Sequence, residues 1–388
     1  MTARESFDLA VVGAGPAGSV AALAALRAEP GLRVLLVDRH DFPRDKSCGD
    51  GIAPHVLEVL RPLGAADVVD GWAPLTRLEL SRGSRQVAGA MGRPVHVVPR
   101  EVLDARLVER ATVAGALLRR HRVRRVVAAD DRVLLDDGLE AAVVVGADGA
   151  HSAVARALGR TPAGQRAVAL RGYAPTPPGR AERQVIRYGE RRQPSYAWSF
   201  DRGDGWSNVG YGELVGGADP PTRALLLDQL EELLPGSVPQ GRQWRGHPLP
   251  LSGWAWGGVQ PAGPVLLAGD AAGLVNPMTG EGIYYAVATG AAAGRAAVRA
   301  LREGAPGAAG DLYRRDVRRL LGRHLHHTWA AARLSRSPTV VGAGIDAAAR
   351  DRHAFDALVE LGLGDGRITR RLATGLATSL LTKRGAAT

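Results

Sequence analysis

Three glycine-punctuated turns carry the residues best suited to chemistry in this 388-residue chain. The first is Gly13-Ala14-Gly15-Pro16-Ala17-Gly18, the second Gly146-Ala147-Asp148-Gly149, and the third Gly269-Asp270-Ala271-Ala272, followed by Gly280-Glu281-Gly282. In the first, Gly13 permits a tight turn, Gly15 lets a pyrophosphate approach the backbone, and Gly18 allows a helix to pack closely on a strand. Asp38, 20 residues beyond Gly18 and followed by Arg39, sits where a carboxylate accepts hydrogen bonds from a ribose hydroxyl. Such a set reads as dinucleotide recognition. Two further groups attract notice: the lone cysteine, Cys48, in a polar loop, and Tyr196, Trp198 and Phe200, three aromatics at period two.

Each turn needs a strand before it and a helix after it. Asp8 to Val12 is a short apolar strand, Ser19 to Arg27 a helical stretch without breakers, and Arg33 to Val37 a second strand, which completes a βαβ unit. Ala142 to Val145 leads into the second turn, with helical Ala153 to Leu158 beyond it, and Val265 to Ala268 leads into the third. Three places that bring backbone amides near a phosphate or polyol imply one long cofactor. Thr161 to Gln260 breaks this rhythm with strand-like runs, Gly/Pro turns and five of the seven tryptophans, and reads as a mainly antiparallel sheet roofing an apolar pocket. Alternation places Tyr196, Trp198 and Phe200 on one face of a strand, as ordinary sheet core or as a binding wall. Helical stretches follow through Ala300, then Asp311 to Arg336, Asp351 to Leu361 and Ile368 to Leu381.

The expected fold is therefore α/β, α+β overall. Residues 1–160 and 261–300 form a Rossmann-like domain, with an excursion near 72–100 toward the substrate side. Residues 161–260 form the substrate-binding sheet, and 301–388 a C-terminal helical region.

Composition removes several function classes. The net charge of +11 comes almost wholly from arginine, since Lys46 and Lys383 are the only lysines. These arginines are scattered, apart from Arg119 to Arg125 and Arg314 to Arg323, and lack interleaved aromatics, so they read as solvated faces rather than a nucleic-acid surface. One cysteine excludes an internal disulfide and any cysteine-rich metal site, which leaves the cytoplasm as the default. The polar opening, Met1 to Asp8, is no secretory signal, and no run approaches the ~20 apolar residues that span a bilayer. His324, His326 and His327 lack a consistent face and a nearby acid, and read as surface residues rather than a metal site. Ile368, Leu372, Leu376 and Leu380 recur every four residues beside Arg367, Arg370, Arg371, Lys383 and Arg384. That helix either packs on the protein's own surface or makes peripheral contact with an anionic membrane.

On these motifs the sequence resembles the flavoprotein superfamily of p-hydroxybenzoate hydroxylase, and within it the geranylgeranyl reductases. The loop Phe42-Pro43-Arg44-Asp45-Lys46-Ser47-Cys48-Gly49-Asp50-Gly51 is similar to one that passes the flavin in those reductases, with Ser47, Cys48 and Gly49 near the ring. Tyr196-Ala197-Trp198-Ser199-Phe200-Asp201 resembles their substrate motif, although Asp201 stands where a proline is expected. The resemblance implies FAD, with Asp270 at the ribityl hydroxyls, the helix starting at Gly282-Ile283 aimed at the ring, Arg100 on the cofactor, and Val123 on a strand beside the adenine. A halogenase is disfavoured, because no lysine lies between Lys46 and Lys383 and Trp254-Ala255-Trp256-Gly257 does not complete the halogenase motif.

The function so implied is reduction of C=C bonds in a prenyl, polyene or related hydrophobic molecule by hydride from reduced FAD, with a protein group supplying the proton. Cys48 is the first candidate for that group and Tyr196 the second, while Cys48 is equally readable as a small apolar filler. The alternative is a monooxygenase, a hydroxylase or epoxidase on the same fold. No second GxGxxG follows, which fits NAD(P)H docking transiently, a reduced ferredoxin as electron-donor protein, or a quinol.

Overall fold

The structure, a computed structural model, describes residues 4–129, 132–162, 164–216 and 220–385, with side chains described through residue 382. Met1 and the side chains of Lys383 and Arg384 lie outside the described residues.

In chain order, β1 (Glu5–Val12), α1 (Pro16–Ala28) and β2 (Val34–Asp38) precede β3 (Gly51–Ile52), α2 (Pro54–Leu60), β4 (Pro74–Arg82) and β5 (Arg85–Val97). Then come α3 (Arg100–Val113), β6 (Leu117–Arg120), β7 (Val126–Ala128), β8 (Val133–Leu135), β9 (Leu139–Gly146) and α4 (Ala153–Ala157). The middle of the chain holds β10 (Arg166–Pro175), β11 (Arg183–Tyr188), β12 (Ser195–Asp201), β13 (Trp206–Leu214), α5 (Arg223–Leu233), β14 (Arg242–Pro250) and β15 (Val265–Leu267). Five helices finish it: α6 (Ile283–Arg302), α7 (Ala309–Leu334), α8 (Pro338–Arg350), α9 (Arg352–Leu363) and α10 (Arg370–Gly385).

The first sheet runs β6-β2-β1-β9-β8-β7, with β15 beside β9. Its β6, β2, β1, β9 and β15 are parallel, in a register that sets Val12 beside both Val37 and Gly146, and Gly146 beside Leu267. All three glycine turns therefore leave the carboxyl edge of one sheet. The chain moves from β1 to β2 on one side while β9 lies on the other, so that edge contains a topological switch point, where open α/β sheets bind ligands. The strands read as continuous apolar runs because α1 and α6 cover them, and α1 is buried along nearly its whole length. Close approach of these two helices depends on glycine: a Cβ at Gly290 or Gly294 would stand 2.2 Å from the carbonyl oxygen of Ala17 or Ala21.

The second sheet runs β14-β10-β13-β12-β11-β4-β5-β3 and is antiparallel except for β11 beside β4. It draws β3 from the end of the Cys48 loop, β4 and β5 from the early excursion, and five strands from the middle of the chain. Gly210 and Gly212 of β13 lie directly opposite Trp198 and Tyr196 of β12. A Cβ at Gly210 would fall 2.2 Å from the Trp198 ring, so the missing side chain is what lets the indole lie flat.

Four expectations need correction. The middle region contains a helix, α5, whose Leu226 and Leu230 pack under the sheet. Helix α8 was not anticipated, because Thr339, Val340, Gly342 and Gly344 are weak helix formers; its Val341, Ile345 and Ala348 are nonetheless buried with Leu78 and Leu80 of β4. Val123 lies in the loop between β6 and β7 rather than on a strand, although it is buried. His324 is not a surface residue: it is buried in α7, donates from Nδ1 to the Gly366 carbonyl at 2.6 Å and accepts at Nε2 from the Tyr285 hydroxyl.

Candidate active site

At the first turn Gly13 adopts φ +100°, and a Cβ there would lie 2.4 Å from the Ala147 carbonyl, so the β1 and β9 turns touch through a position only glycine fills. Gly18 likewise abuts Gly13, where a Cβ would sit 1.8 Å from its carbonyl oxygen. Gly15 differs: the nearest atoms to a Cβ would be the guanidinium nitrogens of Arg44 and Arg100, at 3.6 and 3.8 Å. That open space faces two cations and the N-terminus of α1, which starts at Pro16-Ala17 with no side-chain cap. Uncapped amides, the positive helix end and two guanidiniums suit the pyrophosphate of FAD.

Asp38 is held at the end of β2, accepting from the Ala14 and His40 amides at 2.9 Å each, and Arg39 and Val123 line the same cavity. Arg100 is buried at the start of α3 in a bidentate pair with Asp104, at 2.6 and 2.7 Å, and Arg44 reaches Asp104 at 3.1 Å. Asp148 is spent locally at the start of α4, accepting from the Ser152 hydroxyl and the Ala153 amide, while Ser152 is the N-cap and accepts from the Ala155 amide. Asp270 faces Lys46 at 3.3 Å. Burial works to raise the Asp270 carboxyl, but the Lys46 ammonium and His247 outweigh it and hold the group below its ordinary range.

The Cys48 loop is pinned by contacts that no sequence motif announced. Asn208 of β13 donates to the Cys48 carbonyl and to Asp50 Oδ2, and accepts from the Trp198 indole, each at 2.8 Å. One buried amide thus ties the loop to the aromatic wall. Arg171, also buried, pairs with Asp45 and donates to the Lys46 carbonyl at 3.2 Å. Asp50 is fully buried with φ +59°; Oδ2 accepts from the Tyr173 hydroxyl at 2.6 Å, while Oδ1 has no partner among the described residues. Burial pushes this carboxyl up to about 6, against the pull of Arg171 and Tyr173.

Burial also pushes the Cys48 thiol up, with Arg100 as the main opposing charge, so the thiol keeps its proton at neutral pH. Ser47 is turned outward onto the Arg245 carbonyl at 2.9 Å, and Gly49 lies against the wall, where a Cβ would be 3.5 Å from the Phe200 ring. Tyr196 donates its hydroxyl to the Thr279 carbonyl, and burial raises that phenol. Glu281, which sequence reasoning passed over, accepts from the Tyr284 amide at 2.9 Å at the start of α6, and burial pushes it up to about 7. The helix that begins at Ile283, after Gly282, thus spends the Tyr284 amide on Glu281. Its start, and the Gly269 and Gly280 turns before it, flank the cavity at the end of the sheet.

Tyr196, Trp198 and Phe200 all line one cavity of about 1070 Å³ that also takes in Gly15, Asp38, Cys48, Arg100 and Asp270. The structure therefore brings the predicted residues together. Beyond the aromatic wall the cavity continues between β4 and the C-terminal helices, lined by Leu78, Ile186, Ile345, Val359, Leu372 and Leu376. The stripe of α10, Leu372, Leu376 and Leu380, with Ile368 just before it, faces inward here and lines the cavity. Among the described residues, no helix is long and apolar enough to cross a membrane.

Residues 6–177 match the family described as FAD binding domain. The chain is 38% identical over 309 residues to a menaquinone reductase of Mycolicibacterium smegmatis, covering 73% of this chain and 74% of that protein. It is 35% identical over 337 residues to digeranylgeranylglycerophospholipid reductase 1 of Methanopyrus kandleri, covering 76% and 82%. A geranylgeranyl bacteriochlorophyll reductase-like protein of Thermoplasma acidophilum superposes with a TM-score of 0.78 at 19% identity over 98% of each chain, a likeness of fold.

Proposed function

This chain belongs to the geranylgeranyl reductase family of FAD-dependent reductases that act on isoprenoid chains, and from that premise we propose that it saturates C=C bonds of a long isoprenoid tail drawn into the apolar limb of the cavity. The observation that carries this reading is continuity: one cavity joins the Gly15 cradle, the Cys48 loop, the aromatic wall and the helical channel. The lining changes along its length from guanidinium and carboxylate to mostly hydrocarbon. A chain without polar groups matches the second part, and a dinucleotide the first.

When bound and reduced, FAD supplies hydride to one carbon of the alkene. The chain's residues do the rest. Arg44, Arg100 and the start of α1 would hold the pyrophosphate, Asp38 would hold the ribose, and Asp270, held anionic by Lys46, would hold the polyol between ring and phosphate. Trp198, with its indole fixed on Asn208, and Phe200 hold the alkene flat and exclude water. Cys48, still carrying its proton, delivers it to the second alkene carbon, and Arg100 stabilises the thiolate left behind. Tyr196 is less suited to that task, since its hydroxyl is committed to Thr279. The electron source is proposed as NAD(P)H or another reduced carrier.

The test is single-turnover reduction of a menaquinone or geranylgeranyl substrate, without air, by purified protein carrying reduced FAD. A product heavier by two hydrogens per bond is expected, and Cys48→Ala should slow its formation by about 10²–10⁴-fold with the visible flavin spectrum retained. Product bearing oxygen from labelled dioxygen would replace this reading with a monooxygenase.

A further inference from the structure

The far limb of the cavity opens to solvent between the C-terminal end of α7 and one stripe of α10. Leu334, 51% exposed, lines it from α7, and the exposed Ala373 and Ala377 line it from α10. Leu381, 67% exposed, follows Ala377 by one turn on the same stripe. On the outer side of α7, Trp254, 57% exposed, stacks on His326 at 4.3 Å and leans on Trp329 at 5.0 Å. Leu334 and Leu381 thus lie on the two helices that frame the opening, and Trp254 adds an exposed indole on the outer side of α7.

The two segments that frame the opening carry one sign of charge, with Glu190 beside Arg336 and Asp365 before Arg367 as exposed acids on neighbouring stretches. No Asp or Glu occurs from His326 to Val340 or from Gly366 to Gly385, the two segments that frame it. Those segments carry Arg333, Arg336, Arg367, Arg370 and Arg371, all exposed. Arg333 lies over the Trp329 ring at 5.1 Å and Arg336 bonds Gln165, and among the described residues neither is in an ion pair with a carboxylate. An oily opening rimmed by cations, with an exposed indole on the outer side of the same helix, has the chemistry of a surface that meets lipid headgroups.

We propose that this opening docks on an anionic lipid bilayer, so that a substrate tail passes from the acyl region into the cavity without crossing water. The role of the opening as a tail port rests on the isoprenoid reading above; the docking itself does not. The amphipathic stripe of α10 is not the contact, since Leu372 and Leu376 face the cavity. The contact is the rim, made by Leu334, Leu381 and Trp254 within the arginine set. A cationic rim adds on the order of fivefold in partition per arginine at the surface, and screening by salt removes it.

The experiment is sedimentation of the FAD-loaded protein with vesicles of phosphatidylcholine alone or with phosphatidylglycerol added. Binding should require phosphatidylglycerol, weaken at high salt, and shift the tryptophan emission to the blue. Arg370→Gln with Arg371→Gln should lower the partition by at least tenfold, and Leu381→Ser with Trp254→Ser should lower it with the charge intact. Arg61→Gln with Arg77→Gln, two exposed arginines elsewhere with the same change in charge, should leave it in place. All three double variants replace exposed side chains, and thermal unfolding checks that each remains folded.

Equal binding to phosphatidylcholine, or equal loss in the Arg61/Arg77 control, would overturn the proposal. So would equal binding of heparin with no dependence on Leu381 and Trp254, which would assign the rim to a soluble polyanion. Turnover of a detergent-dispersed isoprenoid separates the two readings: it survives if docking alone is wrong, and is absent if the functional reading is wrong.

Discussion

Replacing Asp50 by asparagine isolates the energetic cost of one buried acid beside the proposed proton donor. Moving the carboxyl from its ordinary 3.8 to about 6 corresponds to roughly 3 kcal/mol, at ~1.36 kcal/mol per unit. Above pH 6 the group is ionised both folded and unfolded, and the folded protein carries that whole cost. As pH falls through 6 the buried carboxyl binds its proton before the unfolded one does, so its contribution to stability rises, reaching the full amount below 3.8. Asparagine tolerates the positive φ, and its amide oxygen accepts from Tyr173 and Asn208 as Oδ2 does. Its nitrogen would stand where Oδ1 has no partner, at a cost of about 1–3 kcal/mol. The variant should therefore equal or exceed wild type by about 0–2 kcal/mol at pH 8. That advantage should fall by about 2 kcal/mol on going to pH 4.5, whatever the fixed offset. Urea unfolding of both proteins in excess FAD, at intervals from pH 4.5 to 8, measures the difference. A difference constant to within ~0.5 kcal/mol across that range would refute the assignment of a raised carboxyl at Asp50.

Gly290→Val should press α6 off α1 through the Ala17 carbonyl and destabilise the protein by about 3 kcal/mol or more, with loss of bound FAD, as read by thermal unfolding and visible absorbance. Arg100→Met leaves the fully buried Asp104 with Arg44 as its ion-pair partner, and should cost about 3 kcal/mol and weaken FAD retention on gel filtration. Leu376→Glu puts a charge on the hydrocarbon lining of the channel; KM for a long isoprenoid should rise at least tenfold while flavin content stays unchanged, as determined by steady-state kinetics.

The sequence alone determined the parallel sheet, the three turns and the cofactor class, because those rest on local rules. A glycine that must adopt φ +100°, as Gly13 does, or admit a helix at contact distance, as Gly18 does, is dictated by atoms a few residues away or across one strand pair. The alternation of Tyr196, Trp198 and Phe200 was legible for the same reason. What each face met was not. The spacing of Leu372 and Leu376 announced an apolar stripe, and only the packing of α10 on α8 and α9, of α8 on β4 and β5, and of α9 on β5 turned that stripe into a channel wall. Asn208 has no motif, yet it joins Cys48 to Trp198 from 160 and 10 residues away. Asp50 is an ordinary loop acid in one dimension; burial by residues more than a hundred positions distant makes it a titrating group near pH 6. Desolvation and channel shape are sums over neighbours that the chain acquires on folding, and for that reason the tertiary structure decided them.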